Sequence, residues 1–306
     1  MRRHPIYQRL IGSPLYPVLA WPRDQLLISR NAFAEVLHGR RTHAFCPGAP
    51  KSGTHSLASL LGGSLRVAHE PHAMMLINAL KGSSFHSIPP ARCAQLLKRR
   101  DRILGLELES SHLLGPFVST LVPLFPEARF VLPIRDCFSW LDSMINQQLR
   151  KRDEAEDRKW ATVWDLYFQR DRFRHPPEEQ VLKDAGLHTL DGYLTYWSTH
   201  NRHVLDTVPT ARLFVLRTDQ IGSRAGELAA FLGISPSSVD PARSHTYRRS
   251  SDDRLLDRLD QEYVADKCDA HCRELMERYY PETRKGRLAR PIKARSSPGA
   301  PPPSRG

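Results

Sequence analysis

Short apolar runs that alternate with amphipathic stretches set the rhythm of this chain. Runs at His43 to Cys46, Leu65 to Ala68, Ile103 to Leu108, Phe130 to Ile134 and Leu213 to Leu216 are too short for ordinary helices and fit buried strands. Between them, Ala73 to Leu80, Ala91 to Arg100, Gly115 to Phe125 and Phe138 to Leu149 carry apolar residues at helical spacing. Strands alternating with helices predict an α/β fold, a parallel sheet with helices on both faces. Ligands of such sheets bind outside the carboxyl ends of the strands, so the residues just after each run are the ones to read for chemistry.

The rest of the chain is arranged around that unit. Leu26, Leu27, Phe33, Val36 and Leu37 predict an amphipathic helix over Gln25 to Leu37, and residues 1–42 read as a peripheral cap. Residues 43–280 read as one α/β domain, with later helices at Tyr193 to Leu205, Gly226 to Leu232 and, long or broken, Arg254 to Tyr280. Residues 150–190, with Arg150-Lys151-Arg152, Trp160, Trp164 and Pro176-Pro177, break the rhythm. They fit either an acceptor-side insertion over the mouth of the sheet or a solvated pair of charged helices. From Pro281 to Gly306, Pro, Arg, Lys, Ser and Gly dominate, which predicts a disordered basic tail.

Composition narrows the class more than the chemistry. A chain of 306 residues, 40% of them hydrophobic, buries a sizeable core. The formal charge of +12 suits an anionic ligand, yet Arg284, Lys285, Arg287, Arg290, Lys293, Arg295 and Arg305 supply much of it. The five cysteines are few, odd in number and scattered, the usage of a reducing compartment rather than of a disulfide scaffold; a cytoplasmic location is expected. Cys268, His271 and Cys272 form a metal-like fragment without a second cluster at zinc spacing, so no metal site is expected. No run approaches the length of a membrane span. Leu10 to Trp21 is interrupted by Pro14 and Pro17, which argues against a signal peptide. A nucleic-acid-binding module would draw on the positive charge, but no zinc-finger spacing, aromatic ribonucleoprotein motif or sustained basic helix accompanies it.

Three stretches carry chemistry. Pro47-Gly48-Ala49-Pro50-Lys51-Ser52-Gly53-Thr54-His55-Ser56 reads as strand, phosphate loop, helix. Its glycines let backbone approach an anion, and the amides opening the helix favour negative charge. A triphosphatase loop would place Lys and then Ser or Thr after the second glycine. Here Thr54 and His55 follow Gly53 while Lys51 sits inside the loop, which disfavours a kinase using ATP and magnesium. Arg135-Asp136 ends the fourth run, with Ser143 eight residues after the arginine; a guanidinium fork and a hydroxyl there suit a phosphate, an ion pair or a helix cap. His69, Glu70 and His72 follow the second run, where a carboxylate or imidazole serves as a general base or caps the segment.

Pro-Lys-Ser-Gly-Thr after a strand, joined by Arg135, Asp136 and Ser143 after another, resembles sulfotransferases dependent on 3′-phosphoadenosine 5′-phosphosulfate. The resemblance extends from His43 to about Tyr280 and implies a P-loop-type α/β fold that uses this donor and no metal. Lys51 would bond the bridging oxygen of the phosphosulfate, with Ser52, Gly53, Thr54, His55 and Ser56 around it. Arg135 and Ser143 would hold the 3′-phosphate, although Cys137 replaces the proline of the family pattern. Glu70-Pro71-His72 is similar to the region that carries the base in Golgi-type heparan sulfotransferases, making Glu70 the base and His72 its neighbour or a substrate contact. Cytosolic relatives use a histidine base, which keeps His69 in play. For a further 3′-phosphate contact, Arg248 is better placed in chain order than Arg284-Lys285-Gly286, which follows the last long helix. Glu107-Leu108-Glu109-Ser110-Ser111 stands where relatives have Glu-Lys-Ser or Glu-Lys-Thr, without the lysine. The acceptor is expected to be a small-molecule or glycan hydroxyl.

Overall fold

A computed structural model describes residues 16–81, 90–151, 157–245 and 255–288. The elements run α1 (Tyr16–His38), β1 (Ala44–Cys46), α2 (Thr54–Leu61), β2 (Val67–His69), α3 (Ala73–Lys81), α4 (Pro90–Leu104), β3 (Leu108–Ser110) and α5 (Val118–Leu124). They continue as β4 (Arg129–Ile134), α6 (Cys137–Lys151), α7 (Asp157–Tyr167), α8 (Gln180–Asp184), α9 (Leu190–Thr207), β5 (Leu213–Arg217), α10 (Ala225–Leu232), α11 (Gln261–Tyr279) and α12 (Pro281–Leu288).

The five strands form one sheet in the order β2-β3-β1-β4-β5, and every pair is parallel. This is the α/β architecture that the alternating pattern predicts. Side chains alternate across each strand. Phe45, Phe130, Leu132 and Ile134 join a core containing Leu76, Leu97, Leu141 and Trp197 from the helices on one face. Ala44, Cys46 and Val131 join Leu57, Leu60 and Leu61 of α2 and Leu228 and Leu232 of α10 on the other. From β1 the chain steps outward to β2, returns to β3, and then crosses to β4 on the far side. The reversal puts the loops after β1 and β4 at the switch point, where a crevice opens above parallel strands.

Several boundaries differ from the pattern. The run Ile103 to Leu108 is split: Ile103 and Leu104 close α4, Gly105 turns the chain at φ 57°, and the strand is Leu108–Ser110. Burial of Ile103 against the core gives it the same apolar signature as a strand residue. The N-terminal helix is longer than Gln25 to Leu37, running from Tyr16 with Pro22 inside it. Residues 281–288 are helical instead of belonging to an irregular tail. Arg284 of α12 pairs with Asp269 of α11 at 2.7 Å, and Glu282 pairs with Arg217 at 2.6 Å, so packing supplies an order that composition alone does not. Arg248 and the remainder of the tail lie outside the described residues.

Within 150–190, α7 places Trp160 and Trp164 against the core. Buried Glu179 accepts hydrogen bonds from Tyr263 Oη and the Leu190 amide, both at 3.0 Å, tying the segment to α11 and α9. All five cysteines are buried free thiols. His271 turns away from Cys268 and Cys272, its Nε2 2.8 Å from Asp191 Oδ1. Among the described residues no cluster of three metal-ligating side chains is present, and no helix is long and apolar enough to cross a membrane.

Candidate active site

The loop after β1 is held by its carbonyls. Trp140 Nε1 of α6 donates to Pro50 O at 2.7 Å, His200 Nε2 of α9 lies 2.7 Å from Pro47 O, and Ser110 Oγ of β3 donates to Thr54 O at 2.8 Å. Thr218 Oγ1, just beyond β5, donates to Ser52 O and faces Ile134 O at 3.1 Å. With these carbonyls taken by the protein, the amides that open α2 form its electropositive end, and no side chain caps them.

Two glycines make this path possible. A Cβ on Gly48 would lie 2.6 Å from the Pro133 ring of β4, so only glycine lets the loop sit this close to the sheet. Gly53 has φ 105°, a left-handed conformation, and a Cβ there would meet Ile221 Cδ1 at 2.7 Å. Ser52 is turned inward: its amide and its hydroxyl both donate to Ala49 O, at 3.2 and 2.6 Å. It braces the loop from within.

The three candidate catalytic residues share a backbone feature. Lys51 (φ 63°), Glu70 (φ 48°) and His72 (φ 45°) are three of the four non-glycine residues at positive φ among the described residues, the other being Gln169. Each such conformation costs on the order of 1 to 3 kcal/mol and persists only where its surroundings over-determine it. For the segment after β2 those surroundings are explicit. Glu70 N donates to Ser110 O at 2.9 Å, and the buried Arg100 donates to His72 O at 3.1 Å and to Pro71 O. Arg100 is itself held by Glu109, Nη2 to Oε1 at 2.6 Å. Burial pushes the Glu109 carboxyl up, and the guanidinium opposes that rise. The other carboxylate of the Glu107 to Ser111 stretch also faces inward: Glu107 accepts from the Arg66 amide at 2.8 Å and from Arg41. Both carboxylates are thus framework for the site.

The segments after β1 and β2 meet at His69. Its Nε2 lies 3.1 Å from Thr54 Oγ1 and 3.8 Å from Glu70 Oε1, and its ring centroid is 5.1 Å from that of His55. Burial, with the nearby charges of His55 and Lys51 adding to it, pulls the His69 pKa down to about 4. His69 is neutral at pH 7. His112 Nε2 approaches the same carboxylate oxygen, 3.3 Å from Oε1. His112 opens the 3-10 turn after β3, and the rings of Trp160, Trp164 and Tyr167 from α7 surround it at 5.5 to 5.6 Å.

At the end of β4, Asp136 Oδ1 accepts from the Ser139 amide at 2.9 Å and so caps the start of α6. This leaves Arg135 aimed at the loop: Nη1 donates to Lys51 O at 3.3 Å and Nε to Ser139 Oγ at 2.9 Å, while Trp197 Nε1 holds Arg135 O at 3.1 Å. Ser143 follows Ser139 one turn along the same helix. Arg284 is engaged by Asp269 and by Glu277.

A family model described as a sulfotransferase domain matches residues 44–245, the span that contains the loops after β1, β2 and β4. The chain belongs to the sulfotransferase family. Solved structures with a similar fold include a sulfotransferase from Mycobacterium avium, 12% identical over 89% of this chain and 88% of that one, TM-score 0.47. Another is a sulfotransferase from Alicyclobacillus acidocaldarius, 14% identical over 75% and 94%, TM-score 0.43. A third is the sulfotransferase domain of the Synechococcus PCC 7002 olefin synthase, 17% identical over 74% and 86%, TM-score 0.35. No curated protein matches the chain.

In this sulfotransferase, the residues the sequence reading passed over are mostly those that hold others. Thr218, Trp140, His200 and Arg100 lie far along the chain from what they grip, and no local motif marks them. Thr218→Val keeps the shape of the side chain and removes the hydroxyl, so we expect a stability loss of about 1 kcal/mol. It should appear as a lower urea midpoint at unchanged slope; a midpoint equal to that of the parent would show that the Ser52 clamp contributes nothing.

Proposed function

We propose that this sulfotransferase moves a sulfuryl group from 3′-phosphoadenosine 5′-phosphosulfate to the hydroxyl of a small-molecule or glycan acceptor by in-line displacement. The observation that carries the reading is that one loop is joined to both other motifs. Arg135 bonds the carbonyl of Lys51 at 3.3 Å, and His69, next to Glu70, lies 3.1 Å from Thr54.

The donor set fits such a co-substrate. At one end stand Lys51, the amides of Gly53 and Thr54, and the side chains of His55 and Ser56; at the other stand Arg135 and Ser143. The donor supplies an activated sulfuryl group on a phosphosulfate oxygen. Lys51 places an ammonium where charge grows on the leaving oxygen, so its interaction strengthens toward the transition state. Arg135 and Ser143 fix the 3′-phosphate, a permanent planar cation paired with a neutral donor. Glu70 receives the proton of the attacking hydroxyl, and α7 forms the wall on the acceptor side. Ser52 acts through the loop it braces, and His72 lines the turn beside Glu70. The free, buried cysteines suit a reducing compartment, and we place the enzyme in the cytoplasm.

Calorimetry with 3′-phosphoadenosine 5′-phosphate against ATP plus magnesium tests the assignment: the bisphosphate should bind, and tight binding of ATP alone would replace this reading with a kinase. Arg135→Ala removes a charge-assisted contact of about 1.5 to 3 kcal/mol, so bisphosphate affinity should fall by roughly 10- to 150-fold in the same titration. An unchanged affinity would defeat the 3′-phosphate role.

A further inference from the structure

The base of the proposed reaction has a buried neighbour that the reaction as written does not use. His112 is 2% exposed, its Nε2 3.3 Å from Glu70 Oε1 and its Nδ1 3.4 Å from Tyr167 Oη. We propose that His112 is a positioning residue for Glu70, a neutral imidazole locked by Tyr167 in the Nε2–H form that donates to one carboxylate oxygen and leaves the other for the acceptor hydroxyl. The inference rests on the reading of Glu70 as the base.

Three features carry it. The first is hydrogen-bond inventory. A protonated phenol can donate to an unprotonated Nδ1, which puts the imidazole proton on Nε2, the nitrogen that faces Glu70. Burial and the charge of Glu70 both push the Tyr167 phenol up, so it keeps its proton. The second is the charge state of the ring. Burial, then His200 and His69, pulls His112 well below the ordinary histidine range. It therefore donates as a neutral group. The groups facing this pair are His69 after β2, His200 on α9 and Tyr167 on α7. The third is rigidity: His112 is stacked on Trp164 at 25° and packed against Trp160 and Tyr167, so the plane of the ring is fixed.

His112→Phe keeps the aromatic packing and removes both nitrogens. A donor to the ionised carboxylate favours ionisation, so its loss should raise the Glu70 titration by about half a unit to one unit. Carbon-13 NMR of labelled glutamate reads this directly, with the signal assigned by Glu70→Gln. Transfer of labelled sulfate to 2-naphthol, used as a phenol probe, should fall roughly tenfold in kcat, a part of what a general base contributes. Affinity for 3′-phosphoadenosine 5′-phosphate should not change. In a Glu70→Gln background, His112→Phe should cost nothing further, because His112 acts through the carboxylate. Tyr167→Phe frees the tautomer and should shift the same titration in the same direction by less; it also serves as the test if His112→Phe does not fold. An unshifted Glu70 signal in both variants overturns the proposal, as does an equal loss in the Glu70→Gln background. Full activity of Glu70→Gln would instead remove the base assignment on which the proposal rests. The NMR titration separates these outcomes because it does not depend on turnover.

Discussion

Lys51→Ala is expected to lower kcat for sulfuryl transfer by about two to three orders of magnitude, the cost of removing one preorganised donor to a developing oxyanion. The backbone should survive the change. Lys51 O is held by Arg135, its neighbours Pro50 and Ser52 by Trp140 and Thr218, and alanine accepts the left-handed conformation no worse than lysine does. Binding of 3′-phosphoadenosine 5′-phosphate, which lacks the sulfuryl group, should therefore change only severalfold. Lys51→Arg keeps the charge but replaces a compact ammonium by a broad fork, and should restore only part of the rate. Single-turnover transfer together with calorimetry measures both quantities. A Lys51→Ala enzyme with normal kcat and weakened binding would make Lys51 a ground-state contact and move the leaving-group role elsewhere.

Glu70→Gln is expected to reduce kcat by roughly 10²- to 10⁴-fold, the range spanned by a positioned general base, with nucleotide binding intact. Glutamine keeps the shape of the side chain, and the contacts that hold the turn, Glu70 N to Ser110 O and Arg100 to Pro71 and His72, are all to backbone. His69 is the nearest competitor, and the Asn variant of His69 distinguishes the two. With its pKa pulled down to about 4, His69 is no stronger a base than an ordinary carboxylate, and its Nε2 is engaged by Thr54 Oγ1 at 3.1 Å, so its loss should cost less than that of Glu70. The ordering is reversed if His69 is the base. The acid side of any profile has to be read against folding. His69, His188 and His200 all titrate near 4 in the folded protein, below the ~6.5 of an exposed imidazole. The unfolded chain therefore binds more protons between those values, and stability falls as pH drops from 6.5 toward 4. Circular dichroism over that window keeps loss of fold apart from loss of the base.

The sheet and the loops that make up the candidate site were legible because both write themselves into local sequence. Apolar runs containing β-branched and aromatic residues mark β4 and β5, and the glycines, the lysine and the hydroxyls of residues 47–56 mark the loop. Burial on both faces of a sheet and close approach to an anion each demand particular residues in a row. The reading failed where one signature serves two structures. Ile103 looks like a strand residue because it is buried, yet it sits in a helix; residues 281–288 look irregular because they are charged, yet Arg284 and Glu282 are fixed by partners on α11 and β5. His112 and Arg100 left no signal at all. A histidine after two serines and an arginine among other basic residues become informative only when folding puts them beside Glu70 and Glu109.

The grip on the loop after β1 has an implication for how the protein is made. Its carbonyls are held by Trp140, His200 and Thr218, residues that leave the ribosome long after the loop itself. A nascent chain that ends before β5 contains the whole phosphate-loop sequence but lacks the Thr218 hydroxyl that holds Ser52. The final shape of the loop thus arrives late in synthesis, together with the completed sheet, as domains generally fold as units. The emerging chain spends most of its translation without the hydroxyl that fixes this loop.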